Sequence, residues 1–269
     1  MIELTILDHG QRHSIHCSAV LFDMDGTLVD STFCVEETWR LWALRHNLDP
    51  GALMTIVHGR VNEEVIQMVA PHLNTPVEHA FLVTTEENCR ERLVAIEGAQ
   101  ELLRQLPRDR WAVVTSAWMT LAQMRLESAG LPCPEVLITA DQIERSKPDP
   151  AGYLLAAARL GIQPEACLVV EDSPTGIEAA TAAQMRVLGI TTTFRREQLD
   201  SIWCIPDLRA LRVERITPRC VAQISGAWLL NFGIDQSSYT LTFRIDIDAG
   251  QNSWPVCQIH VTPLFLESC

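Results

Sequence analysis

The chain has 269 residues, of which 47% are hydrophobic and 20% charged, a balance that suits a folded globular protein and excludes a disordered or collagen-like one. Its net charge of −13 repels polyanions, so neither nucleic acid nor an anionic membrane is expected as a partner. Nine cysteines, an odd number with no CxxC pair, read as small core side chains in a reducing compartment. With no basic-plus-apolar leader and no apolar run of about 18 residues, the expected location is cytoplasmic.

Residues 1–18 read as an N-terminal extension in which "IELTIL" alternates weakly, a possible strand. Residues 19–23 contain Val20-Leu21-Phe22 without alternation, the pattern of a strand covered on both faces, and it runs directly into Asp23 and Asp25. Carboxylates are costly at the end of a buried strand unless a metal or a positive group meets them. The stretch 31–97 reads as an all-helical insert. Its first helix spans 31–47, with Val35, Trp39, Trp42 and Leu44 on the apolar face, and "NEEVIQMVAPHL" and "VEHAFLVTTEENCRERLVAI" follow.

From residue 98 strands and helices alternate. The spacing predicts helices at "GAQELLRQL", at "TLAQMRLESAG" up to Gly130, at "PAGYLLAAARLG" up to Gly161, and at "PTGIEAATAAQ" with Pro174 in its first turn. Between them it predicts strands at 111–116, "EVLIT", 166–172 and a last one at "RVLGI". The fold class is therefore α/β, a doubly wound parallel sheet with a Rossmann-like core over 19–30 and 98–212. Residues 213–269 form a β-rich appendage, where "YTLTFRIDIDA" (239–249) alternates and "VCQIHV" is its candidate hairpin partner. No chemical motif stands out there.

Three strands end in polar groups: Asp23 with Asp25, Thr115 with Ser116, and Glu171 with Asp172. Ligands in open α/β sheets bind outside the carboxyl ends of the strands, so these groups should meet, and Lys147 in the Pro-bounded loop "RSKPDP" should join them. Asp23 and Asp172 are hard oxygen ligands suited to Mg²⁺, and a backbone carbonyl can add a third. No histidine or cysteine lies in these motifs, which argues against zinc. Together the residue types suit phosphoryl transfer. Mg²⁺ would neutralise charge, Lys147, Thr115 and Ser116 would hold phosphoryl oxygens, and Asp25 would carry a proton.

The segments "DMDGT", "VVTS", "SKPDP" and "VVEDSPTG" resemble, in order and spacing, the four motifs of the haloacid dehalogenase-like hydrolases, over roughly residues 18–210. The helical insert resembles the class I cap of that superfamily. "WRLWALRHNLDP", "IVHGR" and the stretch from "GLPCPEVLITADQ" to "YLLAAARLG" resemble bacterial sugar and sugar-alcohol phosphatases, with beta-phosphoglucomutases as close relatives. The resemblance implies Asp23 as nucleophile and Asp25 as general acid/base with its carbonyl on Mg²⁺. It also implies Thr115, Ser116 and Lys147 at the phosphate, Asp172 as metal ligand and Glu171 in support. In the cap, His58, Gly59 and Arg60 match the substrate loop. The expected activity is phosphatase action on a small phosphorylated sugar or sugar alcohol, by a monomer or weak homo-oligomer. The alternatives are a phosphomutase using the same carboxylates and a catalytically silent binding protein of the same fold. The family normally ends near residue 215, so residues 213–269 depart from it.

Overall fold

The structure is a computed structural model that describes residues 1–8, 10–201 and 203–217, together with the backbone of two short strands, Thr240–Arg244 and Val256–His260. The described residues fall into two units, 1–219 and 220–269. In chain order the first unit contains β1 (Ile2–Asp8), β2 (Gln11–Cys17), β3 (Ala19–Phe22) and β4 (Val29–Asp30). The helices α1 (Thr32–Arg45), α2 (Pro50–Met54), α3 (Asn62–Val69) and α4 (Pro76–Asn88) come next. After β5 (Val94–Ala95) the alternation runs α5 (Ala99–Gln105), β6 (Trp111–Val114), α6 (Met119–Ser128), β7 (Val136–Ile138) and α7 (Ala151–Leu160). It continues with β8 (Cys167–Glu171), α8 (Pro174–Ala182), β9 (Arg186–Ile190), β10 (Trp203–Ile205) and β11 (Leu211–Ile216). None of the described helices is long and apolar enough to cross a membrane.

The central sheet is parallel and six-stranded, in the order β10-β9-β8-β3-β6-β7. Every residue of β3, β6 and β8 is buried, which explains why those strands show apolar runs in place of alternation. The strand order reverses direction at β3, so the crevice at the carboxyl end of β3 is the place where a ligand can enter. The flanking helices start and stop where local chemistry dictates. Ser173 Oγ accepts from Gly176 N (3.1 Å) at the start of α8 with Pro174 in its first turn, and Gly161 closes α7 in the left-handed region at φ 63°. The sequence reading ended the sheet at "RVLGI"; the structure adds β10 beyond it, a three-residue strand too short to show a period.

Residues 1–17 form more than the single possible strand expected. β1 and β2 make an antiparallel hairpin, and β11 pairs with the other edge of β1, with Ile6 opposite Leu211 and Ile2 opposite Ile216. Ile2, Leu4 and Ile6 are fully buried and share one apolar cluster with Phe22, Trp111 and Leu211. The chain ends of the unit are thus tied together, with Met1 and Thr217 exchanging backbone hydrogen bonds of 3.1 and 2.8 Å.

The helices α1–α4 enclose their own apolar cluster, built on Trp39, Trp42, Leu53, Val65, Ile66 and Leu82. Trp39 and Trp42 meet edge to face at 5.3 Å, and Trp42 Nε1 donates to buried Glu78 (2.9 Å). Val35 is half-buried against this cluster, but Leu44, expected on the same face, is exposed. It lies about 200° round the helix from Trp42, on the solvent side. The stretch expected to hold no strand does contain one: β5 pairs antiparallel with β4, tying the two chain crossings between insert and sheet. Of the six described cysteine side chains, all free, Cys17, Cys34, Cys167 and Cys204 are buried, Cys89 is half-buried and Cys133 is exposed.

In the second unit the expected hairpin pairing is present, as antiparallel β12 (Thr240–Arg244) and β13 (Val256–His260). The expectation that Leu241, Phe243, Ile245 and Ile247 share one side concerns side chains outside the described residues.

Candidate active site

Asp23 is the first residue past β3. Its backbone N–H still bonds to Val170 O (3.0 Å), so the sheet ladder holds it at the crevice. β8 ends beside it with Glu171, Asp172 being the next residue, and the loop before α7 delivers Lys147 from the other side. Lys147 Nζ donates to Asp23 Oδ1, to Glu171 Oε1 (2.6 Å) and to Val114 O (3.2 Å). Glu171 has no solvent exposure. It also accepts from Tyr153 Oη (2.9 Å) and from the N–H and Oγ of Ser173 (each 3.0 Å), so both of its oxygens are engaged. Burial opposes the Lys147 charge, but Asp23 and Glu171 outweigh it and hold the ammonium well above its usual range.

Asp23 and Asp172 carry the opposite imbalance. Burial pushes the Asp23 carboxyl up to about 8, despite Lys147, with Glu171 and Asp25 adding to the rise. Burial, then the charges of Asp23 and Glu171, likewise raise Asp172 far above the carboxylate range. One oxygen from each of Asp23, Glu171 and Asp172 lies within 4.8 Å of the others, all three residues being buried. Buried like charges at this spacing are what a cation resolves, and an all-oxygen donor set fits Mg²⁺. Because Glu171 is already saturated, Asp23 and Asp172 are the carboxylates left to bind a metal. Gly26 makes room for this arrangement. Its φ is +79°, and a Cβ there would lie 2.1 Å from Asp172 Oδ2 and 2.4 Å from Thr193 Oγ1.

Asp25 and Thr115 meet across the crevice, with Thr115 Oγ1 3.5 Å from Asp25 Oδ2. Thr115 is the first residue past β6, and its Oγ1 accepts from Ala117 N (3.1 Å). Asp25 has a closer partner that the sequence reading missed: Arg125 Nη1 donates to the same Oδ2 at 2.6 Å. Arg125 lies on α6 and its Nη2 also donates to Glu86 on α4. Burial works against the guanidinium charge, but Asp25 and Glu86 more than offset it and raise its pKa further. A signal for both residues was present in the sequence. Arg125 sits among Leu121, Ala122 and Leu126 on the buried stripe of α6, and Glu86 follows Leu82 by one turn on the buried stripe of α4. A charge on an apolar stripe needs a partner.

The insert loop reaches the same crevice. Gly59 sits at φ +76°, and a Cβ there would come within 3.0 Å of Ser173 and Thr175. Its carbonyl accepts from Ser116 Oγ (3.4 Å) and Thr175 Oγ1 (3.5 Å), and Glu64 accepts from Ser146 Oγ. The insert is therefore seated on the sheet domain. His58 Nε2 lies 3.5 Å from Glu36, while no ion pair engages Arg60 among the described residues. Asp23, Asp25, His58, Gly59, Arg60, Thr115, Ser116 and Asp172 all line one cavity, with Trp39, Glu86 and Arg125 on its wall. Lys147 and Glu171 stand behind Asp23.

The chain and its fold have known counterparts. The haloacid dehalogenase-like hydrolase family model matches residues 17–184. The chain belongs to the haloacid dehalogenase-like hydrolases. It is 36% identical to hexitol phosphatase A of Escherichia coli (strain K12), over 76% of this chain and 94% of that one. It is 35% identical to validoxylamine A 7'-phosphate phosphatase of Streptomyces hygroscopicus subsp. limoneus, over 74% and 97%. A hydrolase from Pseudomonas syringae shares the fold with a TM-score of 0.65 at 22% identity, over 72% of this chain and 95% of that one. Family and relatives together make this haloacid dehalogenase-like protein a phosphoric monoester hydrolase, as the motifs led one to expect.

Proposed function

We propose that the chain is a Mg²⁺-dependent phosphatase of small phosphorylated sugars or sugar alcohols that works through an aspartyl-phosphate on Asp23. The observation that carries this reading is the buried group of Asp23, Lys147 and Asp172 at the β3 switch point, with Asp25 two residues on and one cavity under the insert. The substrate class is supported by the names of the relatives, among them the hexitol phosphatase.

In the first step an Asp23 oxygen attacks phosphorus in line with the ester bond. The bond to the sugar oxygen breaks, and Asp25 gives that oxygen a proton. In the second step water attacks the acyl phosphate, Asp25 takes the water's proton, and inorganic phosphate leaves with Asp23 restored. Lys147 offsets charge beside the nucleophile, and the hydroxyls of Thr115 and Ser116 are placed to donate to phosphoryl oxygens. Bound Mg²⁺ supplies charge neutralisation that lets one anion approach another, and Asp23, Asp172 and the Asp25 carbonyl would hold it. Over this centre His58, Gly59 and Arg60 form the wall that meets the sugar, and the seated insert excludes water from the first step.

The test is a phosphate-release screen with Mg²⁺ over hexose phosphates, hexitol phosphates and glycerol 1-phosphate. Turnover is expected on a subset of these, with essentially none left in a folded Asp23→Asn variant. Silence across the whole panel, or normal turnover by Asp23→Asn, would refute the reading.

A further inference from the structure

Arg125 is the one arginine of α6 that faces inward, and the structure surrounds it with machinery rather than solvent. Its side chain is 7% exposed, and it bridges a carboxylate 100 positions earlier in the chain to another 39 positions earlier. One end holds Asp25, on the loop after β3. The other end holds Glu86, 2% exposed, on the insert helix α4. A purely structural need does not explain the pair, because an apolar pair of similar volume at such a site is commonly as stable or more so. All three residues line the cavity that takes the substrate.

The geometry at Asp25 shows what the bridge does. Oδ2 is occupied by Arg125 at 2.6 Å and faces Thr115 Oγ1 at 3.5 Å, whereas Oδ1 is buried and has no hydrogen-bond partner among the described residues. The guanidinium thus fixes one oxygen and leaves the other for the reaction. Since the same guanidinium is held by α4, the orientation of Asp25 depends on the insert being seated. We propose that Arg125 is a positioning residue that sets the Asp25 carboxyl and, through Glu86, couples that setting to the closed insert. This rests on the phosphatase reading above. An open insert takes Glu86 away, Arg125 loses its second anchor, and Asp25 loses its fixed orientation; proton transfer to the leaving oxygen is then efficient only when the substrate is enclosed.

The experiment compares the Mg²⁺-loaded wild type with Arg125→Ala, Arg125→Lys and the double variant Arg125→Met/Glu86→Leu. Each is assayed on its best sugar phosphate and on p-nitrophenyl phosphate, with single-turnover rates separating the first step and circular dichroism checking the fold. Loss of a positioned general acid should lower the first-step rate on the sugar ester by about 100-fold. The loss on the aryl ester should be much smaller, because that leaving group departs without a proton. Added guanidinium should restore turnover of Arg125→Ala in a saturable way, and Arg125→Lys should recover less than guanidinium does, since it has no planar fork. The double variant removes Arg125 together with the deeply buried Glu86 and leaves only the partly exposed Asp25 without its partner, so it remains informative if Arg125→Ala does not fold.

Equal losses on the two esters, wild-type turnover by the folded double variant, or a folded Arg125→Ala that guanidinium leaves unrestored would each overturn the assignment while the phosphatase reading stands. A wild type that hydrolyses no phosphate ester overturns that reading and this assignment with it.

Discussion

Gly176→Ala reads the rigidity of the Lys147–Glu171 pair without touching the cavity. Gly176 lies in the first turn of α8, where an alanine should by helix propensity alone stabilise by about 1 kcal/mol. The structure reverses the sign. A Cβ on Gly176 would stand 1.6 Å from Glu171 Oε1 and 1.9 Å from its Cδ. To reach an ordinary C···O contact of about 3.3 Å the carboxylate must retreat by about 1.7 Å. Glu171 is fully buried, and its oxygens hold Lys147, Tyr153 and two donors of Ser173. Losing two of these charge-assisted bonds costs about 3–6 kcal/mol. After the propensity gain, the expected net destabilisation is about 2–5 kcal/mol. Urea denaturation followed by circular dichroism measures it. In a Glu171→Ala background the same substitution meets no carboxylate and should be neutral or stabilising by about 1 kcal/mol, so the two changes should be strongly coupled. A cost below about 1 kcal/mol in the wild-type background, or simple additivity, would show that Glu171 is not held as described.

Three further outcomes follow from the same structure. Because burial raises the folded-state pKa of Asp23 to about 8, the folded chain binds more protons than the unfolded one above the ordinary carboxylate range. Stability in EDTA should therefore fall as pH rises from about 4 toward 8, and the Mg²⁺-induced rise in Tm should grow over that window and be smaller in Asp23→Asn, which keeps Asp172 but loses one of the two carboxylate charges; a Mg²⁺ effect independent of pH would contradict this. In the insert, burial opposes the charge of Glu78, but His46, Arg45 and Trp42 outweigh it and lower its pKa. Glu78→Gln should cost about 1 kcal/mol at pH 7, and the gap from wild type should close as the pH falls below the usual carboxylate range, which denaturation at a series of pH values checks. Finally, a chain cut after Ala210 loses β11 and bares the β1 edge, whereas one cut after Thr217 keeps both. The shorter chain should melt several degrees lower, and equal melting would show that this pairing contributes little.

The parallel sheet and the convergence of its candidate site were legible in the sequence for a local reason. A strand buried on both faces must be apolar throughout, so carboxylates at its end stand out, as in Phe22–Asp23 and Val170–Glu171–Asp172. Because such strands lie side by side in one direction, their carboxyl ends must converge, and Asp23, Asp25, Thr115, Lys147 and Asp172 could be grouped before any coordinates were known. Glycine and proline marked the ends of α7 and α8 through backbone rules that need no distant partner.

Other features depended on distant partners. Whether "IELTIL" is an edge or a middle strand was decided by Leu211–Ile216, some 200 positions away, and Leu44 faced outward because the tryptophan pair took the other side of α1. The two-residue ladder of Val29–Asp30 with Val94–Ala95 is shorter than any period that a sequence could display. Arg125 and Glu86 show the division most clearly. Each stood on an apolar stripe, so the sequence by itself determined that each needed a counter-charge. That they are each other's counter-charge was decided only by the seating of the insert on the sheet, and that Asp25 shares the guanidinium was decided by where the sheet domain places α6, because electrostatic pairing depends on distance in space and not on distance along the chain.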